Sequence, residues 1–168
     1  TLDIYRGDNL EKILSYKGIL EVKDKDNLTS LNELQYYRNV SGLFLRGNKN
    51  LAGELNFSKY PQLTDRILLE GSPQVTKVDI TGLDKLSAVY IINIKGFKTI
   101  ATGNNKGLTE LSIYGTDAIE EIDASNMPSL TNLNIYSNKA MRTVNITNSQ
   151  KLKDINALYS GSLTNIIS

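Results

Sequence analysis

The 168-residue chain sets 19 Lys and Arg against 18 Asp and Glu, so it has no overall field for gathering phosphate-rich partners, and nucleic-acid binding is not expected. It contains no Cys and no His, which excludes disulfides, thiolate or imidazole metal ligands, a Ser-His-Asp triad and histidine-driven pH switching. Tryptophan is absent too, which leaves nine Tyr and three Phe for any aromatic recognition.

The length suits one well-buried domain, and no apolar run approaches the roughly 20 residues of a membrane helix, so this segment is not expected to insert in a membrane. Thr1 opens the chain without a Met or an apolar leader, which suggests processing or excision from a longer protein. Asn9 to Leu14 reads as a short helical or irregular cap, and residues 1–33 as atypical N-terminal coils or a cap on a regular solenoid over 34–168, the two forming one domain. Lys12, Lys17, Lys23 and Lys25 alternate with Glu11, Glu21, Asp24 and Asp26, which describes a solvated face and not a phosphate track. Asp24 and Asp26 begin a DxD fragment, but Leu28, Ser30 and Leu31 do not complete a calcium loop, so no metal and no cofactor are expected.

From Leu34 onward the chain repeats itself. Leu108, Leu111 and Ile113 return as Leu130, Leu133 and Ile135, and a half-copy, Ile119, Ile122 and Ala124, lies midway. Forward, the series runs through Met141, Val144 and Ile146 to Leu152, Ile155 and Ala157, then Leu163 and Ile166. Backward it runs through Phe97 and Ile100, then Leu86, Val89 and Ile91, to Val75, Val78 and Ile80. Ile67 with Leu69, Leu55 with Phe57, Leu43 with Leu45 and Leu34 with Tyr36 extend it, and Val22, Ile13 and Leu2 with Ile4 are candidate earlier members.

Two apolar positions separated by one residue fit a short strand, and the next copy comes too soon for a strand-helix-strand crossover. A helix with an eleven-residue period is excluded because the marked positions do not share a helical face and because Gly82, Gly96, Gly103, Gly107, Gly115 and Pro128 would interrupt it. The expected fold is mainly β: a right-handed solenoid of 21–23-residue coils with little helix, about seven or eight coils, each adding about 4.8 Å. Leu43, Ile67, Val89, Leu111, Leu133 and Ile155 mark a column of parallel strands on one face. Leu34, Leu55, Val78, Ile100, Ile122 and Val144 mark a column of extended segments on the other. Asn48, Asn104, Asn126, Asn138 and Asn148 follow the strands at regular intervals, where a short amide can satisfy backbone groups at a turn; a ligand-binding amide row is the alternative.

The runs "VSGLFLRGN", "LTELSIYGT" and "LTNLNIYSN" fit LxxLxLxxN with substitutions at the last position, and here the chain resembles a bacterial leucine-rich-repeat protein of the short-repeat, internalin-like surface type. The resemblance covers Leu34 to Ser168. It implies an extracellular or cell-surface interaction module and carries across no catalytic residues. The other half coils, "VTKVDITG", "IEEIDASN" and "MRTVNITN", are strand-like, which points to a flattened, two-sided solenoid in place of a helix-backed horseshoe.

With the inward residues assigned, the first face presents an apolar and aromatic stripe of Phe44, Leu68, Tyr90, Ile92, Tyr114 and Tyr136, while the back presents Asp79, Thr81, Ala101, Gly103, Asp123, Ser125, Asn145 and Thr147. The expected function is non-catalytic recognition of a protein or glycan through that stripe. A structural spacer within a larger surface protein, with the stripe covered by a neighbouring domain, is the alternative. Glu120 and Glu121 point to opposite faces and do not form a paired-carboxylate site. The sequons at Asn27, Asn39, Asn56 and Asn145 are common in a chain so rich in Asn, Ser and Thr. "GSLTNIIS" begins another repeat and stops without a polar cap, which suggests that more protein follows, that this end packs in an assembly, or that the last repeat frays.

Overall fold

Eleven residues suffice for one short strand and one turn, and each half coil spends them in the same way. The N–H of the first apolar position donates to the carbonyl three residues earlier in both halves: Leu130 to Met127 (3.1 Å), Met141 to Asn138 (3.3 Å), Leu152 to Ser149 (3.1 Å) and Leu163 to Ser160 (3.0 Å). The nested repeat is therefore a repeat of turn geometry as well as of hydrophobicity.

The computed structural model describes residues 10–168. A short helix, α1 (Leu10–Ser15), precedes thirteen strands: β1 (Gly18–Lys23), β2 (Val40–Arg46), β3 (Ala52–Asn56), β4 (Arg66–Glu70), β5 (Gln74–Asp79), β6 (Ala88–Ile92), β7 (Thr99–Ala101), β8 (Glu110–Tyr114), β9 (Glu121–Asp123), β10 (Asn132–Asn134), β11 (Thr143–Asn145), β12 (Asp154–Asn156) and β13 (Asn165–Ile167). They form a β-solenoid of parallel strands with coils of about 22 residues and little helix.

The front is one seven-stranded sheet in the order β1-β2-β4-β6-β8-β10-β12. Its register is the one the hydrophobic columns predict, with Leu43 opposite Ile67, Ile67 opposite Val89, Val89 opposite Leu111, and Leu133 between Leu111 and Ile155. The back also carries paired strands, in two separate sheets, β3-β5-β7 and β9-β11-β13. There Val78 pairs with Leu55 and Ile100, and Val144 with Ile122 and Ile166. Three parallel sheets differ from the single sheet backed by loops or helices usual for leucine-rich repeats, so the fold assignment stands at the level of the β-solenoid.

Many of these strands are three residues long, too short to hold themselves. The inward columns do so: Leu108, Leu111, Ile113, Ile119, Leu130, Leu133 and Ile135 are 0 % exposed, and each fully buried Leu or Ile contributes roughly 1.5–3 kcal/mol. One continuous apolar cluster runs from Ile13 to Val144.

The early coils depart from the two-column expectation. Leu34, read as a back-strand member, closes a 3-10 turn (Leu31–Leu34). Ser30 and Glu33 form a capping box there, with the Asn32 N–H donating to Ser30 Oγ (3.2 Å) and the Ser30 N–H to Glu33 Oε2 (3.0 Å), which favours a helical turn over an extended one. Phe57, read with Leu55 as a strand pair, likewise begins a 3-10 turn, capped by Asn56. Ile13 is buried from α1 and not from a strand, while Val22 lies in β1 opposite Leu45. Asn9, Leu2 and Ile4 lie outside the described residues.

Candidate functional site

A solenoid corner must satisfy backbone groups that turn inward, and two columns of small polar residues do this. At the turn after the front strands the successive residues are Asn48, Ser72, Ile94, Thr116, Asn138 and Ser160, all buried; Ile94 interrupts the polar series, and the Ser72 hydroxyl is buried without a hydrogen-bond partner. The Asn138 amide donates to the carbonyls of Ile113 (2.7 Å) and Ile135 (2.9 Å) and accepts from the N–H of Thr116 (3.2 Å) and its hydroxyl (3.1 Å). Asn48 donates to Val22 O (2.9 Å) and accepts from the Lys25 N–H (3.0 Å). Ser160 repeats the pattern with a hydroxyl, donating to Ile135 O (2.6 Å) and accepting from the Asn138 N–H (3.3 Å).

The other three asparagines occupy a different place. Asn104, Asn126 and Asn148 are exposed, with φ of 54°, 54° and 62°, the left-handed region that Asn tolerates better than most residues. Asn148 Nδ2 donates to Asn126 Oδ1 (2.9 Å) across one coil. The inward role at this corner belongs to Asn105, which donates to Ile80 O (2.7 Å), and to Ser149, which donates to Ala124 O (2.7 Å). Sequence reasoning missed both; the signal was a column at residues 83, 105, 127 and 149, in which Leu83 and Met127 alternate with the polar pair.

The outward back positions, described from sequence as small and polar, carry turn chemistry. Asp79, Asp123 and Asn145 each accept from the backbone N–H two residues on (2.8, 3.0 and 3.0 Å). At Ala101 the column lapses, and the Gly103 N–H turns to Asn105 Oδ1 (2.8 Å). Glu120 and Glu121, expected on opposite faces, are both exposed and both line a back cleft of about 680 Å³, between Lys98 and Thr99 of the preceding coil and Arg142 and Thr143 of the next.

The front sheet places Phe44, Leu68, Tyr90, Ile92, Tyr114 and Tyr136 on its outer surface, all half-buried by their neighbours. Arg46 lies over the Phe44 ring, 5.6 Å from its centre, and within 3.5 Å of Glu21 and 3.6 Å of Glu70. The Tyr90 hydroxyl donates to Glu110 Oε2 (2.9 Å), whose other oxygen accepts from Ser112 Oγ (3.1 Å) and, at 3.4 Å, from Asn134 Nδ2. Burial, and then this bond to Glu110, pushes the Tyr90 phenol above its ordinary range.

Tyr114 and Tyr136 stack with ring centres 4.3 Å apart and planes 15° from parallel. Identical residues one coil apart in a parallel sheet arrive naturally at this geometry, because the coil spacing of about 4.8 Å is close to the centre-to-centre distance of offset-stacked rings. The stack turns one face of each ring toward the other. Burial, and then the contact with the Tyr136 hydroxyl, pushes the Tyr114 phenol up to about 12. The neutral phenol is thus favoured by folding: this contribution to stability is complete below the ordinary pKa of about 10 and is lost as pH rises from there through about 12. The phenolate absorbance missing from a Tyr114→Phe variant should titrate near 12; a midpoint near 10 would contradict the packing described.

Among the described residues no group of three or more Asp or Glu side chains is placed to hold a metal, and no helix is long and apolar enough to cross a membrane. The solenoid form is consistent with a non-catalytic scaffold or interaction module. No protein-family model, curated protein or solved structure matches the chain.

Proposed function

We propose that the chain is a non-catalytic interaction module of a bacterial surface or secreted protein, similar to short leucine-rich repeats of the internalin-like type, and that it docks a protein on the front of its seven-stranded sheet. The observation that carries this reading is the Tyr114–Tyr136 stack beside the Glu110, Ser112 and Asn134 network. A saccharide platform needs an open ring face, and in this pair the facing sides are already occupied. Ring edges, phenol hydroxyls and fixed amide and carboxylate groups suit the mixed apolar and hydrogen-bonding surface of a protein. The LxxLxLxxN runs support the family reading, and an extracellular location follows from that resemblance.

A spacer role is favoured by a specific feature of the same face: the network around Glu110 satisfies itself, and the two tyrosines pack on each other. The two readings separate on the double variant Tyr114→Ser/Tyr136→Ser, checked for retained fold by circular dichroism and screened against purified surface proteins and a glycan array. Recognition predicts a protein ligand whose affinity falls at least about tenfold in the variant. A ligand bound equally well by both chains would remove this face from the reading. Silence in both screens would favour the spacer, and a glycan ligand lost in the variant would replace protein with glycan.

A further inference from the structure

The back of the solenoid is interrupted between β7 and β9, and the sequence leaves its own pattern at the same place. Ile100 and Ile122 keep the 22-residue interval that pairs Val78 with Ile100 and Ile122 with Val144, yet β7 and β9 belong to different sheets. At neighbouring junctions the residue after the strand donates its N–H to the next coil: Ile80 to Ala101 O (3.0 Å), Ala124 to Asn145 O (2.8 Å) and Ile146 to Ile167 O (2.7 Å). At the interrupted junction the corresponding carbonyl, that of Asp123, receives the Thr102 hydroxyl instead (2.8 Å). One rung further, Gly82 donates to Gly103 O (2.7 Å) and Asn126 to Thr147 O (2.8 Å), but no counterpart joins Asn104 to Ser125.

Residue 102 explains the lapse. Its equivalents Ile80, Ala124 and Ile146 are apolar, the first two 0 % exposed; Thr102 is half-buried, as Ile146 is, but polar, and spends its hydroxyl on the seam. Ala101 also lacks the carboxylate or amide that rigidifies the turn after the other back strands. The cleft described above crosses this seam and the paired β9–β11 junction beyond it, with Lys98 on one side of Glu120 and Glu121 and Arg142 on the other; Lys98, Glu120 and Glu121 make no ion pair among the described residues. On the opposite side the front sheet is unbroken, β6 and β8 pairing over five residues from Ala88 with Glu110 to Ile92 with Tyr114.

A continuous ladder on one side and a seam bridged by a single side-chain hydrogen bond on the other is the geometry of a hinge. We propose that the two blocks of coils rock about the β6–β8 ladder, opening and closing the back cleft at the β7–β9 seam. On closing, the Thr102 N–H replaces its hydroxyl on Asp123 O, and Lys98 approaches Glu120 and Glu121. The exchange is of one hydrogen bond for another plus a weak exposed ion pair, so neither position is strongly favoured.

The absence of native cysteine allows clean spin labelling. Labels at Thr76→Cys and Arg142→Cys span the seam on the back, and labels at Arg66→Cys and Asn132→Cys span the same three coil steps on the front. Pulsed dipolar spectroscopy of the full chain should give a back-pair distance distribution roughly twofold broader than the front pair. Thr102→Ile, which restores the apolar position, should narrow the back pair to the front width; if it does not fold, Ala101→Asp, which restores only the exposed turn, serves the same purpose. Equal widths in the unaltered chain would overturn the hinge. A folded Thr102→Ile chain with an unchanged back width would overturn its assignment to this seam.

Discussion

Replacing Asn138 by alanine should lower the unfolding free energy by about 3 kcal/mol in urea denaturation, a large loss for a residue with no apolar surface to offer. The side chain is 0 % exposed, and its amide bonds two carbonyls while its oxygen holds the backbone N–H of Thr116. Alanine leaves the Ile113 carbonyl and the Thr116 N–H without these partners where water does not reach, at about 1–3 kcal/mol for each unsatisfied group. Ile135 O suffers less, because the Ser160 hydroxyl already donates to it (2.6 Å). Asn138→Ser gives the discriminating comparison. Ser160, one coil further, does with a hydroxyl what Asn138 does with an amide, so the serine variant should lose clearly less than the alanine one. Equal losses would mean that the corner depends on side-chain volume and not on satisfied backbone groups.

Phe97→Ala should cost about 3–5 kcal/mol by the same measurement. Phe97 is 0 % exposed and begins its half coil in a column with Val75, Ile119 and Met141, all buried. Val75 and Ile119 are smaller than Phe and are tied to their own turns and strands, so they cannot collapse into the space that alanine would leave. A loss under about 1 kcal/mol would indicate that the column relaxes freely, contrary to the close packing of such interiors. Because Phe97 begins the half coil that carries β7 and Thr102, this variant should also loosen the seam, and a destabilised chain with an unchanged back-pair distance distribution would separate core packing from hinge motion.

The chain's periodicity was legible because it has one cause at every copy. A parallel stack needs an apolar residue wherever a strand faces the core, and the eleven-residue spacing of Leu108, Ile119, Leu130 and Met141 states that need directly. The front register follows, since slipping by one residue would turn Leu111 and Leu133 outward. The asparagines were harder to read. Asn104 and Asn105 are adjacent in sequence but opposite in role, one exposed at positive φ and the other buried with its amide in a corner. Spacing alone drew attention to the first and passed over the second. The exposed stripe was legible by alternation, but not the packing of Tyr114 on Tyr136, which depends on the rotamers that neighbouring coils leave open.

By itself, the sequence determined the coil length, the inward columns as far as Val144 and the pairing partners along the front, because burial of alternate side chains is a local demand repeated at each turn; Ile155 and Ile166 keep the spacing but stay exposed, having no further coil against them. Only the tertiary structure decided that the back forms two sheets, that Leu34 ends a 3-10 turn, and which asparagines face inward. Those outcomes rest on competition for individual backbone groups: the Thr102 hydroxyl against its own N–H for Asp123 O, the Ser30–Glu33 box against an extended strand, and Asn105 against the missing carboxylate at residue 101. Such competitions are resolved by distances between coils, which a one-dimensional pattern does not carry.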